Sequence, residues 1–179
     1  MKNTILSTIA ALGLAAAAPI AHGQSYNPFQ IGASGGIAFP TSDLSTGTNT
    51  GYNIGVLVGY KPQAMPISLR AEAAYNQFGF TNGGGSINIP AFTGNVQYEL
   101  PGMSFTPYAI GGAGLYRLSA GFNGGGTTTA ENDFGWNIGG GIKIPLSTSF
   151  ETFVEARYNR VSTSGNAATF IPVTVGIMF

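Results

Sequence analysis

The last twelve residues, A-T-F-I-P-V-T-V-G-I-M-F (Ala168 to Phe179), decide the fold. From Ile171 onward every second residue is large and apolar: Ile171, Val173, Val175, Ile177 and Phe179. Phe170, Pro172, Thr174, Gly176 and Met178 occupy the positions between. Successive side chains of a β-strand point to opposite faces, so a repeat of two is strand periodicity. One face of this strand is wholly apolar and ends in an aromatic. Whether that face meets a protein core or lipid depends on the rest of the chain.

Working outward, seven more segments alternate in the same way, with turn-forming residues between them. Phe29 to Phe39 sets Phe29, Ile31, Ala33, Ile37 and Phe39 against Gln30, Gly32, Ser34 and Gly36. Tyr52 to Tyr60 sets Tyr52, Ile54, Val56, Val58 and Tyr60 against Asn53, Gly55, Leu57 and Gly59. Ile67 to Tyr75 opposes its apolar residues to Ser68, Arg70, Glu72 and Ala74. In the fourth segment Val96, Tyr98 and Leu100 oppose Asn95, Gln97 and Glu99, and its start near Ile87 to Ala91 is blurred by Pro90. The fifth is read with Tyr108, Ile110, Tyr116 and Leu118 on the apolar face and Ala109, Gly111, Ala113 and Arg117 on the other. Phe134, Trp136, Ile138, Ile142 and Ile144 oppose Gly135, Asn137, Gly139, Gly141 and Lys143. Finally, Val154, Ala156 and Tyr158 oppose Phe153, Glu155, Arg157 and Asn159.

The charges then choose between water and lipid. Arg70, Glu72, Glu99, Arg117, Lys143, Glu155 and Arg157 all fall on the small, polar face in this reading. A soluble barrel places apolar residues inside and charges outside, the reverse arrangement. A lipid-facing Arg or Lys costs about 2 to 4 kcal/mol at the bilayer midplane, so a face that meets lipid stays free of charge. Connection lengths alternate too: Lys61 to Pro66, Pro101 to Thr106 and Leu146 to Thr148 are short, whereas Thr41 to Gly51, Thr81 to Ile87, Ser119 to Asp133 and Val161 to Ala168 are long and polar. Short turns on one side and long loops on the other mark an up-and-down transmembrane barrel with its short turns in the periplasm. The expected fold is therefore all-β, an eight-stranded antiparallel transmembrane β-barrel, with Arg70, Glu72, Glu99, Arg117, Lys143, Glu155 and Arg157 as an interior charge network. Tyr52, Tyr60, Tyr75, Tyr98, Tyr108, Tyr116, Trp136 and Tyr158 are read as aromatic girdles at the two membrane interfaces.

Composition agrees. Only 8% of the 179 residues are charged, against roughly 25% in an average soluble domain. The net charge is zero, which excludes the basic field a nucleic-acid partner needs. Lys2, the apolar run Ile5 to Ala18 and the small-residue site Ala21-His22-Gly23 read as a secretory signal peptide over residues 1–23, leaving a barrel domain over 24–179. His22 is the one histidine and there is no cysteine, so the mature chain lacks both the usual general base and a thiol nucleophile.

The stretches L-R-A-E-A-A-Y (Leu69 to Tyr75), P-Y-A-I-G-G-A-G-L-Y (Pro107 to Tyr116), F-G-W-N-I-G-G-G-I (Phe134 to Ile142), V-E-A-R-Y (Val154 to Tyr158) and I-P-V-T-V-G-I-M-F (Ile171 to Phe179) resemble the small eight-stranded outer-membrane β-barrel family of Gram-negative bacteria. That family is often labelled opacity-protein-like or porin-family and includes OmpA-type barrel domains. The resemblance implies an outer-membrane address after export, contact with outer-membrane lipids and lipopolysaccharide, and insertion by the outer-membrane assembly machinery. It further implies that Phe179 matches the C-terminal aromatic which that machinery reads.

Three functions follow as expectations. In the first, a non-enzymatic structural and surface-interaction protein presents its long loops to the environment or a host ligand. In the second, a narrow porin-like channel uses the inward charges as a path for ions or small solutes. A lipid-modifying enzyme is the third, and it would have to work without His or Cys. No cofactor or metal site is read: Gly83 to Gly85 and Asn123 to Gly126 lack the Lys-Ser/Thr and helix of a phosphate loop. Asp43, Glu131 and Asp133 are too scattered to form a cation site.

Overall fold

A computed structural model describes residues 27–100, 104–126, 131–147, 150–163, 165 and 167–179. The signal peptide read over residues 1–23 lies outside them. The strands are β1 (Phe29–Thr41), β2 (Gly51–Tyr60), β3 (Ile67–Gly79), β4 (Gly85–Glu99), β5 (Thr106–Phe122), β6 (Glu131–Ser147), β7 (Phe150–Val161) and β8 (Ala168–Met178), with a short 3-10 helix at Ser42–Thr46. Each strand pairs with the next in antiparallel fashion, and β8 pairs with β1 to close the barrel. Closure leaves no unpaired edge, which hydrocarbon would not tolerate.

The stagger of the sheet follows from its pairing. A path stepping from partner to partner leaves β1 at Gln30, passes Gly59, Arg70, Asn95, Gly112, Asn137, Asn159 and Phe170, and returns to β1 at Pro40, ten residues further along. Such a shift over eight strands fixes the strand tilt and gives an interior that side chains can fill. Positions at one height therefore slip by about one and a quarter residues per strand relative to direct partners.

The barrel is inside out relative to a soluble protein. Ile54, Val56, Leu69, Phe92, Val96, Leu115, Phe134, Ile138 and Val175 are exposed on the outer wall, while Arg70, Glu72, Glu155 and Arg157 are buried in the lumen. On β8, Val173, Val175, Ile177 and Phe179 face outward, and Phe170, Thr174 and Met178 face inward.

Strand β5 runs opposite to the facing read from its sequence. Tyr108, Ile110 and Tyr116 are buried inside, and Ala109, Leu115 and Arg117 face out. Volume explains the inversion. Tyr108 lies across from Gly141 on β6, where an added Cβ would sit 2.6 Å from the Tyr108 hydroxyl; a Cβ on Gly135 would sit 2.7 Å from the Tyr116 ring. The two rings occupy space that the β6 glycines leave open, and their hydroxyls find polar partners in the lumen. Tyr108 and Tyr116 are thus not girdle residues, and Arg117 is not an interior charge.

The outward Arg117 is tolerable because of its height. Allowing for the stagger, Gln77, Asn88, Arg117, Asn132 and Arg160 form a nearly level outward collar on β3 to β7 at the long-loop end, while Thr169 on β8, at the same height, is buried with its hydroxyl bonded to Thr41. The apolar band stops beneath this collar. Two of its members brace neighbouring tyrosines: the Tyr52 hydroxyl bonds Gln77 Oε1 at 2.5 Å, and the Tyr75 hydroxyl bonds Asn88 Oδ1 at 2.9 Å. Strands β4 to β6 also extend further into the long loops than their sequence indicates. Strand β4 starts at Gly85, and the β5 and β6 ladders continue to Phe122 and from Glu131.

Candidate functional site

Two regions hold the polar chemistry of the chain, the lumen and the long-loop end. In the lumen, β3 and β7 stand on opposite walls, four strands apart in the barrel order. Their charges meet across the middle. Glu155 accepts from Arg70 at 2.7 Å through both carboxylate oxygens, and from Arg157 Nε at 2.7 Å. Glu72 accepts from Arg157 and lies 3.4 Å from Arg70, which closes a four-membered ring of alternating charge. The Tyr108 hydroxyl donates to Glu155 Oε2 at 2.7 Å, and the Arg70 guanidinium lies 5.5 Å from the centre of the Phe153 ring. Each ion has at least one opposite partner, the condition under which buried charge is tolerated.

Nearer the short turns, Glu99 on β4 accepts from Lys61 and Lys143, both at 2.7 Å. Lys143 also sits 3.4 Å from Glu151 and 5.5 Å from the Tyr108 ring centre. The six inward charges Arg70, Glu72, Glu99, Lys143, Glu155 and Arg157 therefore fall into two clusters joined through Tyr108. Lys61 and Glu151 join the lower cluster; the sequence does not single them out because they lie at a turn and a strand end, outside clear alternation.

Above the charge ring the lumen becomes amide-rich and then apolar. Asn53 donates to Asn76 at 2.7 Å, Asn76 to the Ile89 carbonyl at 3.1 Å, and the Tyr116 hydroxyl to Asn159 at 3.0 Å. Among these residues a cavity of about 10 Å³ remains, lined by Asn53, Glu72, Tyr116, Arg157 and others. That is room for about one water molecule. Over it lies a plug of Ala38, Phe78, Ile89, Val161, Ala168 and Phe170, with the Phe78 and Phe170 rings 5.5 Å apart and edge-on. Leu44, carried by the 3-10 helix, packs onto the plug from above.

The aromatic girdle divides by facing. Tyr52, Tyr60, Tyr98 and Trp136 are exposed on the outer wall. Tyr75 packs on Tyr52 with ring centres 6.3 Å apart, and Tyr158 packs on Trp136 at 5.7 Å. At the short-turn end Phe179 is exposed and stacks on Phe150 at 6.4 Å.

At the opposite end three loops are tied into one body. Thr48 bridges Phe80, Asn49 N–H donates to Gly79 O at 2.8 Å, and Thr81 N–H donates to Gly47 O at 3.1 Å. Asn123 then joins the β5 end to the β3–β4 turn: its backbone N–H donates to Gly84 O at 3.1 Å and its side-chain amide to Gly83 O at 2.8 Å. The turn needs glycine at Gly85, whose φ is 151° and whose added Cβ would lie 2.0 Å from Gly121 O. Phe80 and Phe122 stack across the joint at 5.7 Å, with Phe122 half exposed. Alternation cannot reveal these contacts, because they are made by backbone groups, one side-chain amide and two rings at the strand ends and in the loops.

A closed antiparallel barrel with an apolar wall, a charged lumen, short turns at one end and long loops at the other defines a transmembrane protein of the Gram-negative outer membrane. The chain belongs to the outer membrane protein beta-barrel domain family, whose match spans residues 7–179. No curated protein sequence matches it. Among solved structures it is similar to Neisserial surface protein A, with a TM-score of 0.71 at 14% identity over 85% of this chain and 96% of that one. Ail, the attachment invasion locus protein of Yersinia pestis, aligns with a TM-score of 0.52 at 14% identity over 86% of this chain and 100% of that one. The outer membrane enzyme PagL aligns at 0.50, with 16% identity over 84% of this chain and 98% of that one. At these identities the likeness concerns the fold.

Proposed function

We propose that this protein is a non-enzymatic outer-membrane barrel that serves as a rigid mount for its loops, which contact a surface or host ligand. The observation that carries this reading is the joining of three loops by backbone hydrogen bonds above a lumen that is plugged and cross-braced. A preorganised loop surface loses less conformational freedom on binding than a mobile one. The filled lumen weighs against the channel reading. The enzyme reading is weakened because His22 is the only histidine and falls within the proposed signal peptide, although an enzyme shares the fold.

Loop composition narrows the ligand. Across residues 42–50, 80–84, 123–130 and 162–167 the one charged residue is Asp43; the rest are mostly hydroxyl, amide and glycine positions, with Phe80 and the adjoining Phe122 as aromatic surface. Ail has been crystallised with the heparin analogue sucrose octasulfate, a polyanion. The present loops hold no Lys or Arg for such a ligand, so the reading favours an uncharged, hydrogen-bonding partner such as a neutral glycan. Cells displaying the protein should adhere to neutral glycans in an array. Phe122→Ser should abolish that adhesion while the barrel still assembles; adhesion that survives both this change and removal of Asn123 to Gly126 would overturn the reading.

For biogenesis, we propose cleavage after Gly23 and recognition of Phe179 by the assembly machinery. Sequencing of the mature N-terminus should begin at Gln24. Phe179→Ser should slow assembly in cells while leaving refolding into lipid vesicles intact.

A further inference from the structure

We infer that the Asn123–Gly124 step is a self-modification site, at which the backbone nitrogen of Gly124 displaces the side-chain amide of Asn123 and so opens the joint between the β5 end and the β3–β4 turn. One tetrapeptide occurs twice at the long-loop end. N-G-G-G stands at Asn82 to Gly85 and again at Asn123 to Gly126, and these are the only two places in the chain where asparagine precedes glycine. Asparagine is a chemically labile side chain, and a following glycine, having no Cβ, leaves the attacking nitrogen unhindered. Both steps are exposed. Local sequence makes them equally reactive, so only the fold can tell them apart.

Their hydrogen bonds differ. At the first step Gly83 N–H donates to Phe80 O at 3.0 Å, so the nitrogen that would attack is engaged in the turn. The carboxamide of Asn82 is held as well, since its Oδ1 accepts from Gly84 N–H at 3.0 Å. At the second step the flanking amides are engaged, Asn123 N–H with Gly84 O and Gly125 N–H with Phe122 O, whereas Gly124 N–H makes no hydrogen bond among the described residues. The Asn123 carboxamide is held by one bond, from Nδ2 to Gly83 O at 2.8 Å. Attack at Asn82 thus needs two hydrogen bonds to open, and attack at Asn123 at most one. Each bond that must open thins the reactive population about fivefold.

As the bond from Gly124 N to Asn123 Cγ forms, the Cγ–Nδ2 bond breaks, and Nδ2 leaves as ammonia with the proton lost by Gly124. Water then opens the cyclic imide at either carbonyl to give aspartate or isoaspartate. Either product carries a carboxylate, which only accepts where the Asn123 amide had donated. Gly83 O is itself an acceptor, so the 2.8 Å bond across the joint becomes a repulsive contact. Isoaspartate also adds a methylene to the backbone inside the turn that Phe122 N–H closes on Gly126 O at 2.9 Å. The reaction does not depend on what the loops contact.

The mature barrel, folded in lipid vesicles, would be held in warm buffer made with heavy-oxygen water and sampled over days for peptide mass spectrometry. Conversion, read as incorporation of one heavy oxygen, should run about fivefold faster at Asn123 than at Asn82. In urea, where the turn bonds are gone, the two steps should convert at the same rate. Gly124→Val should keep Asn123 amidated while Asn82 converts as before, because a branched side chain crowds the attacking nitrogen. A Cβ at Gly124 meets open space, so this variant should fold. Asn123→Asp, which carries the product side chain, should leave the heat-dependent gel mobility of the barrel unchanged and speed hydrogen exchange at the residue 123 amide about fivefold. Equal conversion of the two steps in the folded barrel, or faster conversion at Asn82, would overturn the site. So would undiminished conversion at Asn123 in the Gly124→Val variant, which would mean hydrolysis by water without the backbone nitrogen. Unchanged exchange in Asn123→Asp would show that the modification leaves the joint closed, which equally contradicts the proposal.

Discussion

The inner and outer faces of this barrel are made by the same eight strands, yet they follow different rules. On the outer face a residue is judged by its height: apolar side chains fill the band, tyrosines and the tryptophan lie near its edges, and arginine is accepted at the collar. On the inner face a residue is judged by its partner and its volume. Arg70, Glu72, Glu155 and Arg157 are accepted because they neutralise one another, and Tyr108 and Tyr116 because β6 offers glycine beside them. Polarity alone sorts residues correctly only where both rules give the same answer.

Loss of one member of the charge ring should destabilise the barrel most. Arg157→Met leaves Glu72 without its closest partner, and truncation of one half of a buried ion pair costs about 3 to 5 kcal/mol. Urea unfolding in lipid vesicles should show that loss, and Glu72→Gln added to Arg157→Met should recover much of it. A loss below about 1 kcal/mol, the size of an exposed pair, would mean that the lumen is solvated. On the outer face Val175 sits three outward positions below Thr169, well inside the apolar band. Val175→Arg should cost about 2 to 4 kcal/mol in the same assay. A cost near zero would contradict the lipid-facing assignment of β8.

On β5 the expected changes in stability are smaller. Tyr108→Phe removes a hydrogen bond to a buried carboxylate and should cost about 1.5 to 3 kcal/mol, where a girdle tyrosine facing the interface would cost far less. Arg117→Gln should change stability by no more than about 0.5 kcal/mol, as expected of an exposed side chain that makes no ion pair among the described residues. Were Arg117 an interior charge, its loss would instead resemble that of Arg157.

Much of this architecture is legible in the sequence, for physical reasons that also mark where it stops. On β8 and β6 the apolar face is large and the other face is small or polar, so size, polarity and facing agree. The inward placement of Arg70, Glu72, Glu155 and Arg157 is legible because no other face of a membrane-spanning strand at that depth tolerates charge. Strand β5 is misread because Ala109, Gly111 and Ala113 are small but outward, while tyrosine is large yet polar enough for the lumen. The clue lies on the neighbouring strand, in Gly135 and Gly141, and becomes usable only once the register is known. Arg117 is misread because the rule against outward charge ends at the collar, and height depends on the stagger. The tied loops are invisible to alternation, since Asn49, Thr81 and Asn123 engage through backbone groups or a single amide.

On the proposed function the lumen is a brace and contacts are made from outside it. Single-barrel recording in planar bilayers distinguishes a brace from an open path. The native protein should give a current indistinguishable from bare membrane, since the apolar plug and the charge ring lie in series across the lumen. A steady stepwise conductance in the native protein that changes when Arg70 is replaced by glutamine would contradict it.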